Sequence, residues 1–167
     1  MIEMNLYNQE ELDRIQKVRE TNDKLEEFFN EKRAEWNKNV EPLFKVLNID
    51  ISNPTNFKEI LDAQAISLSF KQMINENINY FLNKRSRETT KIKKIRQDKF
   101  IFYATNFGVK TNMGEKAILI DAHLAENDRC LELIESYITF LRDTVKNLEA
   151  FGFTIKNMTE LLNYLGR

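Results

Sequence analysis

Residues 55–104 read TNFKEILDAQAISLSFKQMINENINYFLNKRSRETTKIKKIRQDKFIFYA, a stretch without a single glycine or proline. Along it Ile60, Ile74, Ile78, Phe81, Ile92, Ile95 and Phe102 recur at helical spacing, with Arg85 and Glu88 interrupting the stripe. A helix of that length rises roughly 75 Å at about 1.5 Å per residue, far more than the diameter of a compact domain of this size. It is therefore expected either to break between Lys84 and Thr90 or to be covered by other subunits. Its start is well marked: Asn48 to Thr55 reads as a loop, Asn53 can cap, and Pro54 suits the first helical position.

Upstream, from about residue 10 to 41, Ile15, Val18, Leu25, Phe29, Trp36, Val40 and Leu43 alternate with Glu26, Glu31, Lys32 and Glu35 in the pattern of an amphipathic helix. Pro42 is expected to end or kink it near Glu41, leaving a short helical turn to Leu47. Downstream, residues 105–116 carry Gly108 and Gly114 without periodicity and read as a loop. A third helix is expected from about 117 or 124 to 150, with Leu124, Leu131, Ile134, Ile138, Leu141, Val145 and Leu148 on one face. Gly152 then fits a C-terminal cap and Thr154 the next start, so a short closing helix is predicted over 155–165. The fold class is all-α. Three regions follow: 1–47 as a helical extension, 48–116 as a long basic helix with its loop, and 117–167 as a C-terminal oligomerisation region.

The whole chain has 167 residues, 42% apolar and 31% charged, enough for one core. Its formal charge is −1, which excludes a uniformly basic nucleic-acid coat and an acidic tail alike. One cysteine, Cys130, excludes an internal disulfide framework, and one histidine, His123, excludes any metal site needing two imidazoles. With no basic leader, no apolar leader segment and no membrane-length apolar run, a soluble cytoplasmic protein is expected.

The charge is unevenly distributed. Residues 84–116 hold 10 basic and 3 acidic side chains, whereas residues 1–50 hold 8 and 12 and residues 117–167 hold 5 and 8. Lys84, Arg87, Lys91 and Lys94 step by three and four along one helical face; Arg85, Lys93, Arg96 and Lys99 widen it. Tyr80 and Phe81 precede this stripe, and Phe100, Phe102, Tyr103 and Phe107 follow it. Cations that track phosphates beside rings on which unpaired bases stack are what single-stranded nucleic acid requires. The same stripe can instead serve as a solvated face or pair with the acidic helices at either end of the chain. Phe81 and Phe102 lie on the apolar period and are expected in the core, whereas Phe100 and Tyr103 lie off it.

Enzyme signatures are missing. No Walker loop, dinucleotide-binding glycine pattern, nucleophile elbow or paired cysteine motif occurs. Glu132 with Glu135 and Glu31 with Glu35 read as surface charges, since a bundle di-metal site needs a histidine on each of two helices. His123 reads as a surface residue and Cys130 as a small packing residue. No catalytic residue, metal or cofactor is expected.

Two local patterns, Arg96-Gln-Asp-Lys-Phe-Ile-Phe-Tyr103 and Asn147-Leu-Glu-Ala-Phe-Gly-Phe-Thr-Ile-Lys156, resemble those of the UvsY-type recombination mediators of tailed phages. The similarity covers roughly residues 45–167. It implies an elongated helical protomer assembling as a homo-oligomeric ring in the bacterial host cytoplasm. Such a ring binds single-stranded DNA and helps a RecA-like recombinase displace the single-strand-binding protein. Lys99 stands at one of the family's DNA-binding basic positions; the other falls on Gln97, with Arg96 beside it. The doubled tyrosine of the family is Phe102 and Tyr103 here, the glycine that follows it is displaced to Gly108, and the arginine before Gly-Phe is Phe151.

Together these readings give Lys84, Arg87, Lys91, Lys94, Arg96, Lys99 and Tyr103 as DNA-binding residues. Leu131, Ile134, Ile138, Leu141, Val145, Phe153 and Ile155 are the expected oligomerisation face. The rival expectation is a helical scaffold or chaperone whose basic face docks an acidic protein.

Overall fold

The structure, a computed structural model, describes residues 9–50, 53–105 and 112–165. Three helices account for nearly all of them: α1 (Gln9–Lys45), α2 (Pro54–Thr105) and α3 (Met113–Leu165), with a 3-10 turn at Val46–Asn48 after α1. The all-α expectation holds, and no strand occurs among the described residues. Pro54 opens α2 as expected. The loop before it is tied by the Asn56 side-chain amide, which donates to the Asp50 carbonyl at 2.9 Å.

At three positions where an interruption was considered, the helices continue. Pro42 lies inside α1. It is exposed, so the Lys38 carbonyl that it leaves without a partner falls on the solvent side, while Trp36, Val40 and Leu43 stay buried. α2 runs through Lys84 to Thr90 without a break. α3 passes Gly152 and absorbs the predicted closing helix, because Leu148, Phe151 and Ile155 continue one buried stripe across it. A mid-helix glycine costs about 1 kcal/mol relative to alanine, less than the burial of one such side chain contributes.

The start of α3 was hidden in what reads as a loop. The Asn112 side-chain oxygen accepts the Glu115 backbone N–H at 2.9 Å, and the Glu115 carboxylate accepts the Asn112 N–H at 3.0 Å. This reciprocal capping box satisfies two donors that a bare helix end leaves unpaired.

The described chain forms two compact units, each drawing on all three helices. The first unit comprises residues up to Phe28 and Leu82–Ser136. Its core groups Ile92, Tyr103, Ile120 and Leu124, with Ile95, Leu119 and Leu131 packed against them. Ion pairs fix the register of its helices. Arg129 on α3 meets Asp23 and Glu26 of α1 at 2.9 and 2.7 Å, and Glu126 takes Arg19 at 2.8 Å. Buried Asn22 donates to the Glu126 carbonyl at 2.6 Å.

The second unit comprises Phe29–Phe81 and the chain from Tyr137 onward. It is built on rings. Phe29 stacks on Tyr137 at 4.4 Å, Phe81 meets both edge-on at 5.3 and 5.1 Å, and further pairs join Trp36 to Phe70 and Phe44 to Phe151. Each such pair contributes about 0.5–1.5 kcal/mol beyond the area that it buries. In both units α2 is covered by α1 and α3 of its own chain, so its length does not demand foreign subunits.

This packing places most of the expected oligomerisation face inside the monomer. Ile134 belongs to the core of the first unit, and Ile138, Leu141 and Ile155 to the core of the second. Leu131 and Val145 are half-buried. Only Phe153 of that set stands out in solvent.

Candidate nucleic-acid interface

The basic part of α2 lies in the first unit, and its cations divide into two groups. Arg85 pairs with Glu135 at 2.7 Å and Arg96 with Asp121 at 2.7 Å, both on α3. Lys99 pairs with Glu11 of α1, half-buried, its ammonium 5.6 Å from the Phe102 ring centroid. Burial pushes the Lys99 ammonium below the usual lysine range. These three side chains link helices.

The others face outward. Arg87, Lys93 and Lys94 are exposed and Lys84 is half-buried, and none of the four forms an ion pair among the described residues; exposed Lys91 reaches Glu88, one turn back, at 3.4 Å. At 100° per residue, Lys94, Arg87, Lys91 and Lys84 fall within an arc of about 80° on the outer surface of α2. Phe102, 43% exposed, lies in the same arc further along the helix. Around the helix, Lys93, Arg96, Gln97, Asp98, Phe100 and Ile101 line an open groove of about 530 Å³.

The two aromatic expectations exchange places. Tyr103, predicted to contact DNA, is 2% exposed and belongs to the core; Phe102, predicted to be core, is in solvent. Three full turns from Ile92 bring position 103, not 102, back to the buried side. The Tyr103 hydroxyl is hydrogen-bonded to His123 Nε2 at 2.5 Å, and the histidine is buried rather than on the surface. Burial, with the Lys99 and Arg14 cations nearby, lowers the His123 pKa to about 4, so the ring is neutral at physiological pH. Beside it Lys99, Arg14, Glu11, Glu126 and Asn127 border a cavity of about 30 Å³, room for one water.

The remaining chemistry is sparse. Cys130 is half-buried, and burial pushes its thiol above the usual range, which suits a packing residue. Glu31, Glu35, Glu132 and Glu135 are exposed. Among the described residues no cluster of three His, Cys, Asp or Glu side chains could hold a metal ion, and no helix is long and apolar enough to cross a membrane. Tyr80 is exposed and lies in the second unit; Phe107 and Gly108 lie outside the described residues.

The fold and this surface define an all-α chain with a localised cationic face. No protein family, curated protein or solved structure matches it.

Proposed function

We propose that the protein is a single-stranded DNA-binding recombination mediator. In this reading a multi-subunit assembly presents several copies of the α2 cationic stripe to one strand and prepares it for a RecA-like recombinase in place of the single-strand-binding protein. One observation carries the proposal: exposed Arg87 and Lys94, with no ion pair among the described residues, share one arc with half-buried Lys84 and with Lys91, which reaches only Glu88 of its own helix, and the arc ends at exposed Phe102, while Arg85, Arg96 and Lys99 are taken up by carboxylates of α1 and α3. Side chains already paired gain little from a phosphate; unpaired ones gain the full effect of counterion release. The resemblance of residues 96–103 and 147–156 to UvsY-type mediators supports the recombinase and ring components.

A stripe that neutralises three or four phosphates binds weakly alone. Linked copies act at high effective concentration, so assembly converts a modest patch into a tight and salt-sensitive binder. Phe102 adds a stacking surface that only unpaired bases can use, which favours a single strand over duplex.

The test is anisotropy of labelled oligo-dT and of a matched duplex at two salt concentrations, with Arg87→Ala/Lys91→Ala/Lys94→Ala as the altered protein. Preference for the single strand, a steep salt slope in the native chain and a shallower one in the variant are expected. Equal binding by variant and native protein removes the stripe from the interface. The second reading, a helical scaffold docking an acidic protein, draws on the fact that the neighbouring cations of this helix do pair with carboxylates; absence of DNA binding at low salt would favour it.

A further inference from the structure

The part of α2 in the second unit has an outer surface that carries little charge. Between Gln64 and Phe81 the exposed residues are Ala65, Ile66, Leu68, Ser69, Gln72, Met73, Asn75, Glu76, Asn79 and Tyr80, and Glu76 is the one charged residue among them. Lys71 is half-buried and already paired with Glu149 at 3.2 Å. Depletion of charge with exposed aliphatic, Met and Tyr side chains marks the centre of protein interfaces rather than a solvated helix face. Leu68 is 61% exposed, and Leu61, Ile66 and Met73 are each 45–48% exposed.

The arrangement identifies the occupant. Leu61, Ala65, Ser69 and Met73 lie four residues apart and form one exposed ridge, large at both ends and small in the middle. Such a ridge is complementary to a second copy of itself turned about its midpoint: the small residues let the two helices approach, and the flanking Leu68 and Ile66 fill the grooves on either side. Ridges of this four-residue type interdigitate at a crossing angle near −50°. A surface of this composition also meets itself without opposing charges at its centre, since Asp62 and Glu76 lie toward the ends of the ridge.

We infer that α2 of one protomer crosses α2 of a second copy at Ala65 and Ser69, about a two-fold axis, with Leu61, Ile66, Leu68 and Met73 forming the buried contact. The exposed surface of this ridge and its flanks is on the order of 500 Å² per copy, so the pair buries about 1,000 Å², at the lower limit for a specific interface. An interface of this size is weak or transient, so its association is sought at micromolar concentrations and above. A two-fold contact closes a dimer, and a ring built from it needs a second, different contact. The inference takes from the proposed function only that the chain self-associates.

Sedimentation of the full chain from about 1 to 100 µM tests it, alongside Ala65→Arg/Leu68→Glu and the Ser69→Cys change in a Cys130→Ser background. The native chain is expected to shift with concentration from its 19.9 kDa monomer mass toward twice that or a multiple of it. The charged double variant should at least halve the mass at the highest concentration while keeping its helical circular dichroism. The Ser69→Cys protein should yield a covalent dimer on mild oxidation.

A native chain that stays monomeric at about 100 µM overturns the inference. So does a double variant with unchanged mass, or a Ser69→Cys protein that does not cross-link while the native chain dimerises. Oligo-dT anisotropy on the same samples keeps the two proposals separate. A native chain that stays monomeric yet binds the single strand faults only the interface; native dimers that bind no DNA fault only the mediator reading.

Discussion

One helix carries two surfaces of opposite character. From Gln64 to Phe81 α2 exposes ten residues, one of them charged; from Leu82 to Lys99 it exposes eleven, seven charged and six of those positive. Backbone and helix type are the same in both windows, and in both the buried side is packed by α1 and α3 of the chain. The difference therefore lies on the solvent side, where folding imposes little choice. Fold stability does not require five aliphatic and aromatic side chains in water, nor the exposed cations Arg87, Lys93 and Lys94 that form no ion pair among the described residues. Each surface makes sense as a place where something else binds: an uncharged surface where water is to be excluded, and a cationic one where counterions are to be released.

The cores of the two units differ as well, and acid should separate them most strongly. The first unit buries His123 against Tyr103, whereas the second is built on stacked and edge-on rings. An unfolded histidine takes a proton near pH 6.5, but the buried ring resists until about pH 4. Between these values the unfolded state binds more protons than the folded one, so stability falls as pH drops through the window, by about 3 kcal/mol in all, and levels off below it. Above pH 6.5 this contribution is constant. Hydrogen exchange at pH 4.5 and 7 should show protection lost around residues 92–103 and 119–127 before the Phe29, Phe81 and Tyr137 region. Uniform loss across both units would mean that their cores do not respond separately.

The cationic surface gives the next largest effect. Replacing Arg87, Lys91 and Lys94 by alanine should reduce the salt slope of oligo-dT binding by about 2 and weaken binding roughly tenfold to hundredfold at low salt. The second unit should be unaffected, because none of the three enters its core. A change in mass of the assembly on this substitution would tie the two surfaces together and weaken the contrast between them.

Much of this organisation was legible in the sequence. The run without glycine or proline from 55 to 104, opened by Pro54, is a helix because nothing interrupts its hydrogen bonding. The clustering of ten basic residues within 84–116 located the cationic surface. What misled were local breakers set against a buried stripe: Pro42 costs about 3 kcal/mol and Gly152 about 1 kcal/mol, against the burial of Trp36, Val40 and Leu43 around the first and of Leu148, Phe151 and Ile155 around the second. The capping box was readable as Asn112-x-x-Glu115, but the neighbouring glycines suggested a loop. The burial of Tyr103 follows from counting three turns from Ile92. By contrast, no sequence pattern shows that Lys99 meets Glu11, 88 residues away, or that Ile134, Ile138, Leu141 and Ile155 are buried within the monomer. Those facts depend on which helix faces which.

Gly152 offers a test confined to the second unit. It sits mid-helix with nothing within 4 Å of where a Cβ would stand. Gly152→Ala should therefore raise stability by about 1 kcal/mol, visible as a higher denaturation midpoint with an unchanged slope. A loss of stability would mean that the position needs a glycine for a reason outside the monomer, such as a backbone approached by a second copy.

The smallest effects distinguish paired from unpaired cations within the charged window. Arg85 and Arg96 are about half exposed, so each pair with Glu135 or Asp121 contributes only about 0.2–1 kcal/mol to stability. Arg85→Ala and Arg96→Ala are expected to lower the denaturation midpoint slightly and to change oligo-dT affinity less than about twofold, since a guanidinium already facing a carboxylate releases few counterions. Arg87→Ala or Lys94→Ala should do the reverse, leaving stability intact and weakening binding severalfold. If Arg96→Ala proves as damaging to DNA binding as Lys94→Ala, the ion pair with Asp121 opens when DNA arrives. The interface then extends around the helix to the groove beside Phe100 and Ile101, where Arg96 already stands.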